Sequence, residues 1–231
     1  MLSNPFTVYE ERRVLTKPGG FGEYLSIVEE HIWPEITKTG GQPLVLLNGL
    51  IGDPVEETLL ITGFSDIDHW QAAQEIMMIQ TEGKKETAQY RSEIVVEESV
   101  ELMAPSPYRP DAQPLAENRR PVYGARRFTI DPADLADFER YSYEGVWPSM
   151  DEMGHRVLGQ FHPMEVTDSF AVLNLAGYWS PAHWYETRSA NDPASGTSSK
   201  ARQAANTLGL ARKKLVKHSF VRLMTSHWAL I

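Results

Sequence analysis

The chain has 231 residues, 42% of them apolar and 23% charged, and a formal net charge of −9. That composition suits a folded protein with a sizeable core and excludes a disordered chain, and the acidic balance argues against a nucleic-acid-binding surface. There are no cysteines, which excludes disulfides, thiolate nucleophiles and cysteine metal ligands.

In chain order, residues 7–16 place Val, Tyr and Thr among charges and suit a strand. Lys17-Pro18-Gly19-Gly20 is a turn. Phe21, Tyr24, Leu25, Val28 and Ile32 then follow at helical spacing, with Pro34 ending or kinking that helix. Gly40-Gly41 breaks the chain. Residues 44–47 are a strand, Asp53-Pro54 turns, and residues 58–62 are the next strand. Ser65-Asp66 caps a helix carrying Ile67, Trp70, Ile76 and Met77. Residues 92–103 alternate Ile94, Val96, Val100 and Leu102 with polar partners and form a last strand. The N-terminus lacks a basic segment followed by an apolar one, and no apolar run approaches the length of a membrane span. The expectation is a soluble, cytoplasmic protein with no membrane partner, in keeping with the absence of cysteines.

The same pattern then returns. Val8-Tyr9-Glu10-Glu11-Arg12-Arg13 recurs as Val122-Tyr123-Gly124-Ala125-Arg126-Arg127. Trp33-Pro34 recurs as Trp147-Pro148, and His69-Trp70 as His183-Trp184, all at an offset of 114. Val100-Glu101-Leu102-Met103 recurs as Val221-Arg222-Leu223-Met224 at an offset of 121, so the second half holds seven extra residues. The loop-like stretch 191–199 is where they belong, and it could form a lid. The expected organisation is a first repeat over 1–104, a proline-rich linker over 105–120 and a second repeat over 121–231. Each half reads β-α-β-β-α-β, a ferredoxin-like unit with helices on one face of its sheet. The fold class is α+β, two tandem units closing an intramolecular barrel with helices outside and a lumen inside.

Tyr9-Glu10-x-Arg12, Lys17-Pro18-Gly19, Glu23-Tyr24-Leu25, Glu30-His31 and Pro34 together resemble the opening of NIPSNAP domains. The second half keeps Tyr123, Arg126 and Pro148 and replaces Lys-Pro-Gly by Asp131-Pro132-Ala133. The resemblance implies the dimeric α/β-barrel superfamily, which includes cofactor-free monooxygenases, isomerases and haem-dependent enzymes. It therefore implies a pocket rather than one reaction.

Strand side chains alternate faces, so one arginine from each half shares a face. The family pattern selects Arg12 and Arg126 as the lumen pair, able to hold a carboxylate, phenolate or enolate. The bland alternative is a structural arginine paired with Glu10. On the second strand of each half, Val157 and Phe161, like Val45 and Leu47, are expected to meet the helices. Gln160 and His162, opposite Leu46 and Asn48, would then line the lumen. Asn174 and Tyr178, opposite Leu60 and Phe64, join them, with His162 as the base. Its bland alternative is a solvated strand-end histidine. His31 and His155, each facing a glycine in the other half (Gly145 and Gly41), are further ligand-binding candidates. The repeated His-Trp and Trp-Pro pairs read as packing.

Three functions follow. The first is a small cofactor-independent enzyme that acts on an aromatic or polyketide-like acid by proton transfer, isomerisation or oxygenation. The second is a non-catalytic binder of a small molecule or haem, for which His31, His155, His162 and His183 are formal axial ligands. The third is an interaction protein with a packed interior. No metal motif is present. Homo-oligomers of whole chains remain compatible with exposed sheet edges.

Overall fold

The computed structural model describes residues 5–78, 82–108, 116–165, 170–192 and 195–229. Parts of the expected linker (109–115) and of the expected lid (193–194) lie outside the described residues.

The chain divides into two compact units, Met1–Ala104 with Thr225–Ile231, and Pro105–Met224. The end of the last strand, Thr225–His227, thus groups with the first unit although it belongs to the expected second repeat. The first unit runs β1 (Val8–Thr16), α1 (Phe21–Ile27), a π-helical turn (Val28–Ile32), α2 (Trp33–Lys38), β2 (Gln42–Ile51), β3 (Glu57–Phe64), α3 (Ile67–Met78), α4 (Glu82–Ile94) and β4 (Val95–Pro105). The second runs β5 (Val122–Ile130), α5 (Leu135–Tyr141), a π-helical turn (Ser142–Val146), α6 (Trp147–Glu152), β6 (Arg156–Pro163), β7 (Ala171–Tyr178), α7 (Pro181–Glu186), α8 (Ser199–Ala204), a further π-helical turn (Ala205–Gly209), α9 (Leu210–Leu215) and β8 (Val216–His227). The protein is α+β, and its strands follow the closed-barrel order β1-β3-β2-β8-β5-β7-β6-β4.

Local chemistry explains the interrupted helices. Pro34 and Pro148 each lack an N–H and occupy the first turn of α2 and α6. A π-helical turn immediately before each lets the helix continue in spite of the missing donor. Gly40 and Gly154 follow α2 and α6 with φ of +89° and +84°, a left-handed conformation that a side chain would strain. The helix over Glu82–Ile94 was absent from the expected elements, and the last strand begins at Val95 rather than at 92. That helix is rich in charge, and its polar residues hide the 3.6-residue period.

The sheet faces differ from the simple alternation. In the first unit Arg12 lies opposite Leu60, and Leu60 opposite Leu46. Leu46 and Leu60 pack with Tyr24, Ile27, Val28 and Trp33 of the helical segments. The face holding Arg12 and Leu46 is therefore the helix side of the sheet. In the second unit Arg126 lies opposite Asn174, and Asn174 opposite Gln160. Gln160 donates to Ser142 of the π-helical turn at 3.2 Å, so this row also faces its own helices. Gln160, His162, Asn174 and Arg126 were expected on the other face. For Gln160 and His162 the cause is a register shift on β6 between Val157 and Gly159, matched by one on β2 between Pro43 and Val45. Arg126 and Asn174, on strands that pair without a shift, share that face because they lie opposite each other and Asn174 lies opposite Gln160. One extra residue moves every later side chain to the opposite face, so Val157 and Phe161 do not share one.

The difference between His31 and Gly145 has a packing origin. His31 is exposed on its π-helical turn. At Gly145 a Cβ would lie 2.6 Å from Leu208 Cβ and 2.7 Å from the Gly209 nitrogen of the third π-helical turn. Two backbones meet there, so only glycine fits. Gly145→Ala is expected to cost about 1–3 kcal/mol by overpacking, read as a lower urea midpoint at unchanged slope. An unchanged midpoint would mean that these two turns part freely.

Candidate functional site

In the first unit the helix-side arginine is fully employed. Arg12 Nε donates to Glu10 Oε1 at 2.7 Å, and its Nη1 pairs with Glu98. Glu10 Oε2 also accepts from Trp70 Nε1 at 2.7 Å and from Gln74 Nε2 at 3.0 Å. Burial opposes the Arg12 charge, and Glu10 and Glu98 more than reverse that, holding its pKa above the usual arginine value. Glu10 and Arg12, both candidate site residues, thus form a closed network. The rest of the row, Leu60 and Leu46, is apolar core.

The second unit places different chemistry on the same three strands. The Arg126–Asn174–Gln160 row crosses β5, β7 and β6, with neighbouring strands about 4.8 Å apart. Asn174 is 5% exposed and Gln160 fully buried, yet Asn174 Oδ1 and Gln160 Oε1 lack hydrogen-bond partners among the described residues. Arg126 has no carboxylate partner among the described residues; burial pulls its pKa down, with Tyr178 opposing. Burial pushes the Tyr178 hydroxyl up to about 12, so it stays protonated at neutral pH. Two residues beyond Gln160 on the same face, His162 Nδ1 stands 3.3 Å from Glu139 Oε1 on α5. The Glu139 side chain is 7% exposed and that of His162 20%. Neither of these two atoms has a hydrogen-bond partner among the described residues, so the contact is an ion pair only when the ring is protonated. Phe128 and Phe138 pack in the apolar core beside this row, their rings 5.2 Å apart.

Glu139, Ser142, Phe128 and Phe138 were not among the expected site residues. The repeat itself held a signal for Glu139, because its counterpart 114 positions earlier is Leu25. A carboxylate that replaces a helix-face leucine requires a partner.

The other histidines sort into structure. His183 Nδ1 accepts from the Trp179 N–H at 3.1 Å, and its Nε2 donates to the Met153 carbonyl at 2.8 Å. His69 does the same with Ser65 and Thr39. His155, 3% exposed, donates from Nε2 to Thr187 Oγ1 at 2.6 Å, and its ring lies 4.6 Å from that of Tyr178. Neither His31 nor His155 therefore joins the Arg126 row. Of the four candidate haem ligands, His31 and His162 have no hydrogen bond on Nε2 among the described residues, and His155 has none on Nδ1. Those residues contain no cluster of three or more acidic or histidine side chains arranged to hold a metal ion.

His155 carries a pH prediction. Burial, with His183 nearby, depresses its pKa to about 4, against about 6.5 in an unfolded chain. The unfolded state then takes up a proton that the folded state refuses. Stability from this group is complete above about pH 6.5 and is lost as pH falls toward 4, by about 3 kcal/mol in total. Urea midpoints at pH 7 and pH 4.5 should differ less in His155→Gln than in the wild type. Equal pH dependence in the two would remove His155 as the cause.

No protein-family model and no curated protein matches this chain. Solved structures do. A candidate monooxygenase from Lactobacillus acidophilus NCFM shares 12% identity at a TM-score of 0.63, covering 96% of this chain and 94% of its own. An anthrone oxidase-like protein shares 13% at 0.63, covering 96% and 92%. A NIPSNAP family protein from Agrobacterium tumefaciens shares 21% at a TM-score of 0.38, covering 43% of this chain and 88% of its own. The first two likenesses extend over nearly the whole chain and show its fold, that of the dimeric α/β barrels.

Proposed function

We propose that the second unit binds a small organic anion on the helix side of its sheet and moves a proton on it without a bound cofactor. The Glu139–His162 pair, its carboxylate buried and its imidazole partly exposed, beside an unsatisfied polar row carries this reading. An aromatic or polyketide-like acid fits beside Phe128 and Phe138, with its anionic end at Arg126. His162 Nε2 removes a proton from carbon next to a carbonyl. The electron pair moves onto the carbonyl oxygen, and Arg126 holds the resulting enolate or phenolate. Return of the proton to another carbon is isomerisation; capture of the anion by dioxygen is oxygenation. The names of the two whole-chain structural neighbours described above, among others, lean toward the oxygenase outcome. Tyr178 and Asn174 orient the bound acid in this scheme. The opening motifs keep a NIPSNAP-type origin in view.

The test is proton NMR of hydroxyaryl and polyketide acids in deuterated buffer. Enzyme-dependent exchange of a carbon-bound proton supports the reading, and no exchange or consumption across the panel, in air, rejects it. A second reading, non-catalytic binding of a small molecule or haem, is favoured by the unpartnered His162 Nε2. A native mass spectrum of the purified chain separates the two by a retained haem mass, and it reports any homo-oligomer at once.

A further inference from the structure

The first unit offers an internal template for what the second one lacks. In it Glu98 on β4 sits between two arginines, Arg12 on β1 and Arg91 near the end of α4, with Arg91 Nη2 at 2.6 Å. The offsets of the repeat carry Arg12 to Arg126, Arg91 to Arg212 and Glu98 to Ser219. The structure keeps this correspondence, since β4 begins at Val95 and β8 at Val216. Glu10, the other acid on Arg12, becomes Gly124. Both arginines are thus retained, and both carboxylates that neutralise them are gone.

What remains is a pair of cations without a counter-ion among the described residues. The Arg212 guanidinium lies 4.2 Å and 4.3 Å from the ring centres of Phe128 and Phe138, and its buried Nε has no hydrogen-bond partner. Burial, aided by repulsion from Arg126, depresses its pKa to about 9. Two aromatic faces offset part of the cost of burying the charge, but they accept no N–H hydrogen bond in the guanidinium plane. Ser219, where the missing carboxylate would be rooted, is exposed, so a soluble anion can reach that position.

Resting on the function proposed above, we propose that Arg126 and Arg212 together bind the carboxylate of an aromatic acid, which takes the place that Glu98 holds in the first unit. The ring of the acid lies against Phe128 and Phe138. Gln160 Oε1 and Asn174 Oδ1, both acceptors without donors among the described residues, select a hydroxyl on that ring. The substrate class is a hydroxyaryl carboxylate.

The experiment is thermal unfolding of the whole chain with 2-hydroxybenzoate or with its neutral analogue 2-hydroxybenzamide. The wild type should be stabilised by the acid with an apparent affinity about tenfold or more above that of the amide, as loss of a charged hydrogen-bond partner implies. Ser219→Glu restores the internal acid. It should melt higher than Ser219→Gln and no longer respond to 2-hydroxybenzoate. Arg212→Met should also lose the response. A Ser219→Glu protein that melts at or below Ser219→Gln, or that still responds like the wild type, overturns the proposal. So does equal stabilisation of the wild type by acid and amide, or by neither. His162→Gln separates this from catalysis, because it should keep the response to the acid while losing turnover. A retained acid response with no turnover by the wild type would reject the reaction and keep the binding site.

Discussion

Glu10→Ala is expected to destabilise the protein by about 3–5 kcal/mol, the cost of removing one partner from a buried ion pair. Glu10 is 3% exposed and accepts hydrogen bonds from Arg12, Trp70 and Gln74. Alanine leaves the indole N–H and the Gln74 amide N–H without an acceptor, and leaves Arg12 with Glu98 and the Gln74 carbonyl oxygen. Urea unfolding measures the loss. Glu10→Ala combined with Arg12→Met should recover part of it, because the double change removes the stranded charge as well. A loss below about 1 kcal/mol would place the network among exposed ion pairs of small worth. The corresponding change in the second unit, at Arg126, should have the opposite character. Arg126 has no acid to strand, so Arg126→Met should leave stability unchanged or raise it while binding of the organic anion falls.

The second large effect concerns turnover. His162→Gln should lower the rate of proton exchange by about 10²–10⁴-fold, the usual contribution of a positioned base. The melting temperature should hold, since the His162 side chain is 20% exposed and not core. Glu139→Gln should act through His162, and its mark is a lower rate at unchanged affinity for the acid. A rate that survives His162→Gln would assign the proton transfer to another group and remove Glu139 from the mechanism as well.

Repetition made the architecture readable before any coordinate was known. Trp33-Pro34 and Trp147-Pro148 recur at one offset, and both tryptophans are buried, at 4% and 1% exposure. His69 and His183, read as packing, make the same pair of backbone hydrogen bonds in their own units. Such features rest on local spacing, which a sequence carries in full. The side of the sheet was not readable. Alternation holds only while a strand pairs without interruption, and the shift between Val157 and Gly159 depends on how β6 meets β7. From Val157 alone the expected face was right; three residues later, at Gln160, it was reversed.

The same division separates the two arginines. Arg12 and Arg126 are alike in sequence, each first in an Arg-Arg pair on the opening strand of its half. The chain order alone settles the repeat, the α+β class and the residue types available for chemistry, because these depend on composition and on neighbours along the chain. Which arginine is spent on structure depends on acids far away in sequence: Glu98 reaches Arg12 across 86 positions, and its counterpart is Ser219. Only the tertiary structure brings those positions together. It closes the network in the first unit and leaves the second with two partly buried arginines that have no carboxylate partner among the described residues.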